Sequence, residues 1–123
     1  MNIALWILQG VLAAMFLMAG LMKTTQPKDR LAPRLPWVED FSGGAVRFIG
    51  IAEFLGAVGL IAPAATGIVP VLTPVAATAL AVVMVLAAFT HGRRREPSGI
   101  AFTAVLFALL AVVAWGRFGP YAT

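Results

Sequence analysis

One carboxylate stands where lipid would normally forbid it. Glu53 sits inside an apolar stretch running from Ala45 to Ala62. With a helix starting near Ala45, Glu53 lies about 12 Å below the membrane boundary at 1.5 Å per residue. An ionised acid facing lipid at that depth costs several kcal/mol, so it must face other helices, stay protonated or find a partner. Gly50, Glu53, Gly56 and Gly59 recur at three-residue steps, and small residues at such spacing let neighbouring helices approach closely. Gln9, Ala13, Phe16, Gly20 and Lys23 advance by four, three, four and three, which places them on one side of a first helix. Lys23, Arg47 and His91 fall at corresponding helix ends and could form a cationic rim above Glu53, where a carboxylate pairs well with Lys or Arg. The plainer alternative is that the cations snorkel to the interface as topology anchors, while Glu53 ties two helices together through a hydrogen bond. For Lys23 and the run Arg93 to Arg95 the anchor reading is favoured; for Arg47 both stay open.

The elements that position these groups follow from composition. Of 123 residues, 61% are hydrophobic and only 11% charged, with a mean hydropathy of +0.95. Soluble domains run at about 45–50% apolar and about 25% charged, so both figures point away from water. Four apolar segments, at about 3–22, 45–62, 68–90 and 100–117, are each near the length that crosses a hydrocarbon layer of about 30 Å. Backbone hydrogen bonding in lipid requires these to be helices, because four short spans cannot close a barrel. The predicted fold is an all-α membrane protein, one four-helix transmembrane bundle over residues 1–123, with its longest loop between the first and second helices. The first segment has no basic flank and no convincing cleavage site, so it reads as a retained helix rather than a signal peptide.

Charge placement orients the bundle. The first loop and its flanks carry Lys23, Lys28, Arg30, Arg34 and Arg47, and the third carries Arg93, Arg94 and Arg95. Arg117 alone lies on the opposite side. Eight cations against one is a positive-inside pattern, which puts both termini on the non-cytoplasmic side of a cell membrane. The same pattern accounts for the net charge of +4 without nucleic acid. Trp37 and Phe41 beside Glu39 and Asp40 suggest either an interfacial segment or a plain surface loop. Trp6 and Trp115 near the outer span ends fit an aromatic belt. Pro63 opens the expected outer turn, and Pro70 and Pro74 should start or kink the third helix.

The chain has no cysteine, which excludes disulfide exchange, a thiolate nucleophile and cysteine-ligated metal. One His is too few for a metal site, and His91 beside Gly92 could simply end a helix. No catalytic constellation can be placed in one layer, and the chain is short for a transporter.

The order Gln9, Gly20-Leu21-Met22-Lys23, Arg47-x-x-Gly50-x-x-Glu53-x-x-Gly56-Ala57-x-Gly59-Leu60, Pro63 and then His91 resembles the DoxX and DoxX-like family of small four-helix membrane proteins. The second-helix stretch is its most specific part. The resemblance covers about Leu5 to Arg117 and implies Gln9, Lys23, Arg47, Glu53 and His91 as the polar positions of interest. The family is named for similarity to a subunit of a thiosulfate:quinone oxidoreductase, and some relatives associate with membrane complexes of oxidative-stress proteins. Small size, absent catalytic machinery and a basic inner surface point to a non-catalytic accessory or scaffold subunit that docks a membrane or cytoplasmic redox partner, with Gly20, Gly50, Gly56 and Gly59 assigned to helix packing. The alternative is an oxidoreductase subunit with quinone as candidate cofactor and Arg47, Glu53 and His91 as donor and proton relay. A third reading, a proton or small-molecule path through Glu53, requires a homo-oligomer, which the small-residue faces would permit.

Overall fold

The computed structural model describes residues 2–33, 35–36, 38 and 41–122. Arg34, Trp37, Glu39 and Asp40 lie outside the described residues, so the interfacial-segment expectation is not addressed there. Among the described residues the regular structure is all α-helix: α1 (Asn2–Thr25), the single turn α2 (Lys28–Leu31), α3 (Gly43–Thr66), α4 (Leu72–Arg93) and α5 (Pro97–Phe118). The four long helices are each long and apolar enough to cross a membrane. The protein is a small multi-pass membrane protein.

The helix ends follow local chemistry. α1 runs to Thr25 and stops before Pro27, whose ring disfavours helical backbone just ahead of it. In its last turn the Thr24 and Thr25 hydroxyls donate to the carbonyls of Gly20 and Leu21, each at 2.6 Å, so neither is left unpaired. Ser42 caps α3, its hydroxyl accepting from Ala45 N–H at 3.0 Å. Pro97 opens α5, where a missing N–H costs nothing.

Two ends differ from the sequence expectation. α3 does not stop at Ala62 but passes through Pro63 to Thr66, and Gly67 closes it at φ 72° with its N–H on the Pro63 carbonyl. A proline in the last turn forfeits one ladder bond, and the following left-handed glycine ends the helix instead. α4 starts at Leu72 rather than Ile68, because Pro70 and Val69 at φ 45° hold the connection in a turn. Pro74 then falls in the first turn of α4, where no backbone donor is needed.

The helices pack in chain order, α1 on α3, α3 on α4 and α4 on α5, while α5 meets α1 only lightly. The chain termini and the α3–α4 turn share one end, the terminal end; the α1–α3 and α4–α5 connections share the other, the loop end. Leu12, Phe16, Leu60, Leu80, Met84 and Leu110 fill the centre, and Leu31, Val38 and Val46 form a smaller cluster at the loop end. Only 28% to 33% of each span is buried within the protein, so most of its apolar surface faces outward, as a lipid-facing bundle requires.

Glycines set the interhelical distances. A Cβ on Gly20 would lie 2.7 Å from the Gly50 carbonyl and 2.7 Å from the Phe54 nitrogen, both backbone atoms. Gly56 and Gly59 face α4 instead, against Leu80 and Ala76. The series Gly50, Glu53, Gly56, Gly59 therefore winds across α3 rather than lining one face, since each three-residue step turns back by about 60°.

Gly20→Ala should destabilise the protein by about 1–3 kcal/mol, because rigid backbone cannot give way to the new methyl. Gly10→Ala, in the same helix and with open space around it, should be neutral or stabilising by up to about 1 kcal/mol. Thermal unfolding in mild detergent reads both, and equal effects would discount the close approach.

Candidate functional site

The polar residues singled out in the sequence divide into three groups rather than one, with Arg47 apart from all three. At the loop end Lys23 donates to Glu53 at 2.5 Å, joining α1 to α3. Glu53 is 2% exposed, so the pair is closed off within the bundle. Gly50 makes it possible: a Cβ there would sit 2.7 Å from the Lys23 Cβ. Gly20 and Gly50 each stand three residues before the charge they serve, one turn along their helices.

Arg47 is exposed and does not join this pair. Two three-residue steps separate it from Glu53, and the backward drift of about 120° rotates it off the α1-facing side. His91 is also elsewhere. Its Nδ1 lies 2.8 Å from Glu96 Oε1 in the α4–α5 connection, and Arg94 Nε donates to Glu96 Oε2 at 3.4 Å. The hydrogen bond to His91, with a smaller contribution from Arg94, holds the Glu96 carboxyl below its ordinary value of 4.5. His91 packs its ring over Gly99, and a shallow recess of about 200 Å³ opens beside it, lined by Pro36, His91, Glu96, Ser98 and Gly99.

Gln9 belongs to the terminal end, about 21 Å along α1 from Lys23 at the helical rise. Its amide donates to the Leu60 carbonyl at 2.6 Å. That acceptor lies in the turn of α3 disturbed by Pro63, where Ala64 N–H donates across to the Thr73 hydroxyl of α4 at 3.1 Å. Gln9 Oε1 in turn accepts from Arg117 Nε at 2.8 Å. Arg117 is 3% exposed. Its Nη1 donates to Asn2 Oδ1 at 2.6 Å and to the Tyr121 carbonyl at 2.9 Å, and its guanidinium carbon lies 5.0 Å from the centre of the Trp6 ring. Nη2 is buried with no hydrogen-bond partner.

By charge placement alone Arg117 is a lone outer cation and Trp6 a belt residue, yet the two pack together inside the terminal end. The signal was present: Leu106, Leu110, Val113 and Arg117 advance by four, three and four, on the buried stripe of α5. Trp115 does lie on the outside, packed edge-on against Tyr121 with ring centres 6.2 Å apart.

These features define a class: a small four-helix membrane protein whose intramembrane polar groups join its helices at both ends. The DoxX-like family profile matches residues 7–113, and the chain belongs to that family. No curated protein and no solved structure matches the chain significantly.

Removing one partner of the Lys23–Glu53 pair leaves an uncompensated charge, so Lys23→Met should cost about 3–5 kcal/mol. Adding Glu53→Met should recover most of that loss, and a double-mutant cycle by thermal unfolding measures the coupling. Strictly additive losses would show that the pair is not the source.

The lowered Glu96 carboxyl sets a pH window. A group depressed on folding adds stability above its unfolded value, lost as pH falls through the lower folded value. Carboxyl-resolved NMR titration should place the Glu96 midpoint below 4.5, and His91→Ala should return it toward that value. An unmoved midpoint in the variant would remove His91 as the cause.

Proposed function

We propose that the protein is a non-catalytic accessory or scaffold subunit of a membrane-associated redox or oxidative-stress system. It presents its loop end to a protein partner. The observation that carries this reading is the use made of the intramembrane polar side chains: Lys23, Glu53 and Gln9 each engage a neighbouring helix. They hold the bundle in one shape. Exposed Arg30, Arg47, Arg93 and Arg95 crowd the loop end and suit an acidic partner surface. The positive-inside rule supports a cytoplasmic loop end and non-cytoplasmic termini in a cell membrane. The redox setting rests on the family resemblance.

The alternative, a quinone-binding subunit with its site around Glu53, has less support. Glu53 is engaged by Lys23. Two recesses lie elsewhere, beside His91 and along the lipid-facing seam of α1 and α3 at Ala13, Leu17, Ala57 and Ile61.

Because the chain contains no cysteine, one introduced thiol tests both partner and orientation. Ser98→Cys at the loop end, carrying a thiol-directed cross-linker, should capture a reproducible partner in intact cells, identified by mass spectrometry. Thr66→Cys at the terminal end should not capture it but should react with a membrane-impermeant maleimide that leaves Ser98→Cys unmodified. A chain that is never captured with a partner refutes the scaffold reading; reversed labelling refutes the orientation.

A further inference from the structure

Among the described residues, the terminal end holds a buried cation with no counter-charge. Arg117 keeps its charge in any protein environment. All three of its hydrogen-bond acceptors are neutral: the Gln9 amide, the Asn2 amide and the Tyr121 backbone carbonyl. The five carboxylate side chains of the chain are Asp29, Glu39, Asp40, Glu53 and Glu96. Three belong to the α1–α3 connection, one pairs with Lys23, and one stands before α5, so none is carried by the segments that build the terminal end. A buried charge of this kind calls for an opposite charge. The guanidinium also has an open valence, since Nη2 is buried without a partner. An uncompensated charge and an unused donor thus coincide on one group.

We propose that Arg117 anchors an anion site at the terminal end, occupied by the phosphate of an anionic phospholipid headgroup. The position fits the source. Arg117 lies in the last turn of a membrane-spanning helix, where headgroup phosphates stand, and Trp6 stacks against it while Trp115 lies exposed on the same turn. The guanidinium fork matches phosphate geometry, and a charged oxygen is a stronger acceptor than a neutral carbonyl. The cover over the group is slight: the turn from Gly119 to Ala122 is held by Tyr121 N–H on the Gly116 carbonyl and Ala122 N–H on the Gly119 carbonyl, and Gly119, Pro120 and Ala122 are exposed. The Tyr121 carbonyl of that turn lies on Nη1. The headgroup enters as the turn lifts, exchanging the Tyr121 carbonyl for a phosphate oxygen and supplying Nη2 with its acceptor. Arg117 lies beyond residues 7–113, so the family match does not supply this site.

The test uses the full chain with an affinity tag at the C-terminus. Thermal unfolding in mild detergent is compared without lipid, with phosphatidylglycerol and with inorganic phosphate at matched ionic strength. Phosphatidylglycerol should raise the wild-type Tm by several degrees, and native mass spectrometry should show one retained molecule, held about tenfold less tightly by Arg117→Gln. Asn2→Asp places a carboxylate beside Nη1, 2.6 Å from the present amide oxygen. It should raise the lipid-free Tm and remove most of the lipid response. Should Arg117→Gln fail to fold, the contrast between Asn2→Asp and wild type decides. Inorganic phosphate acting where the lipid does not would assign a free anion and overturn the lipid source. Equal responses from wild type and Asn2→Asp would overturn the site.

Discussion

The approach of α1 to α3 at Gly20 and Gly50 is the constraint on which the loop end depends. Lipid offers helices no hydrophobic reason to associate, so close packing and polar contacts must hold them together. Missing side chains at these two positions bring backbone within reach of backbone. Only at that separation can the Lys23 stem lie against α3 and deliver its ammonium to Glu53. The ion pair is a consequence of the packing as much as a cause of it. A buried pair of this kind adds little net stability over apolar residues, yet it penalises any register in which the charges part. Its contribution is therefore to the uniqueness of the arrangement.

The opposite end solves a different problem. α5 touches α1 only lightly along its length, so the bundle would stay open there without a dedicated fastening. Leu5 packs on Gly116, and one residue later Arg117 reaches across to Asn2 and Gln9. Gln9 in turn holds the Leu60 carbonyl, so a single chain of hydrogen bonds joins α5, α1 and α3. Pro63 contributes indirectly, because the helix turn it disturbs is where Leu60 accepts from outside its own helix.

Much of this was legible in the sequence and some was not, for identifiable reasons. Spans, helical class and the depth of Glu53 follow from apolar run lengths, which lipid enforces strictly. The face carrying Gln9, Gly20 and Lys23 follows from alternating steps of four and three, which track a helix closely, and all three are buried on it. The three-step series from Arg47 to Gly59 is less informative than it looks. Its drift carries Arg47 outward and Gly59 round to α4, so shared spacing did not mean a shared face. Which cation would meet Glu53 depended on that drift. Arg117 was hidden by its place near the chain end, where an orientation count absorbs it, although its buried stripe was readable.

The choice of arginine at the terminal end has a physical reason that lysine could not satisfy. Asn2 and Gln9 are seven residues apart, two turns along one side of α1, or about 10 Å at the helical rise. The planar fork of Arg117 presents Nε to one and Nη1 to the other while its face meets Trp6. An ammonium is a compact, strongly hydrated point charge with no plane to stack and no fixed fork. It would meet the amides without the flat face that lies on Trp6, and at a higher cost of lost hydration. The guanidinium is less hydrated and enters the bundle at lower cost, but it brings a charge that neutral amides share without cancelling. The same group that closes the bundle is thus the one left in want of an anion.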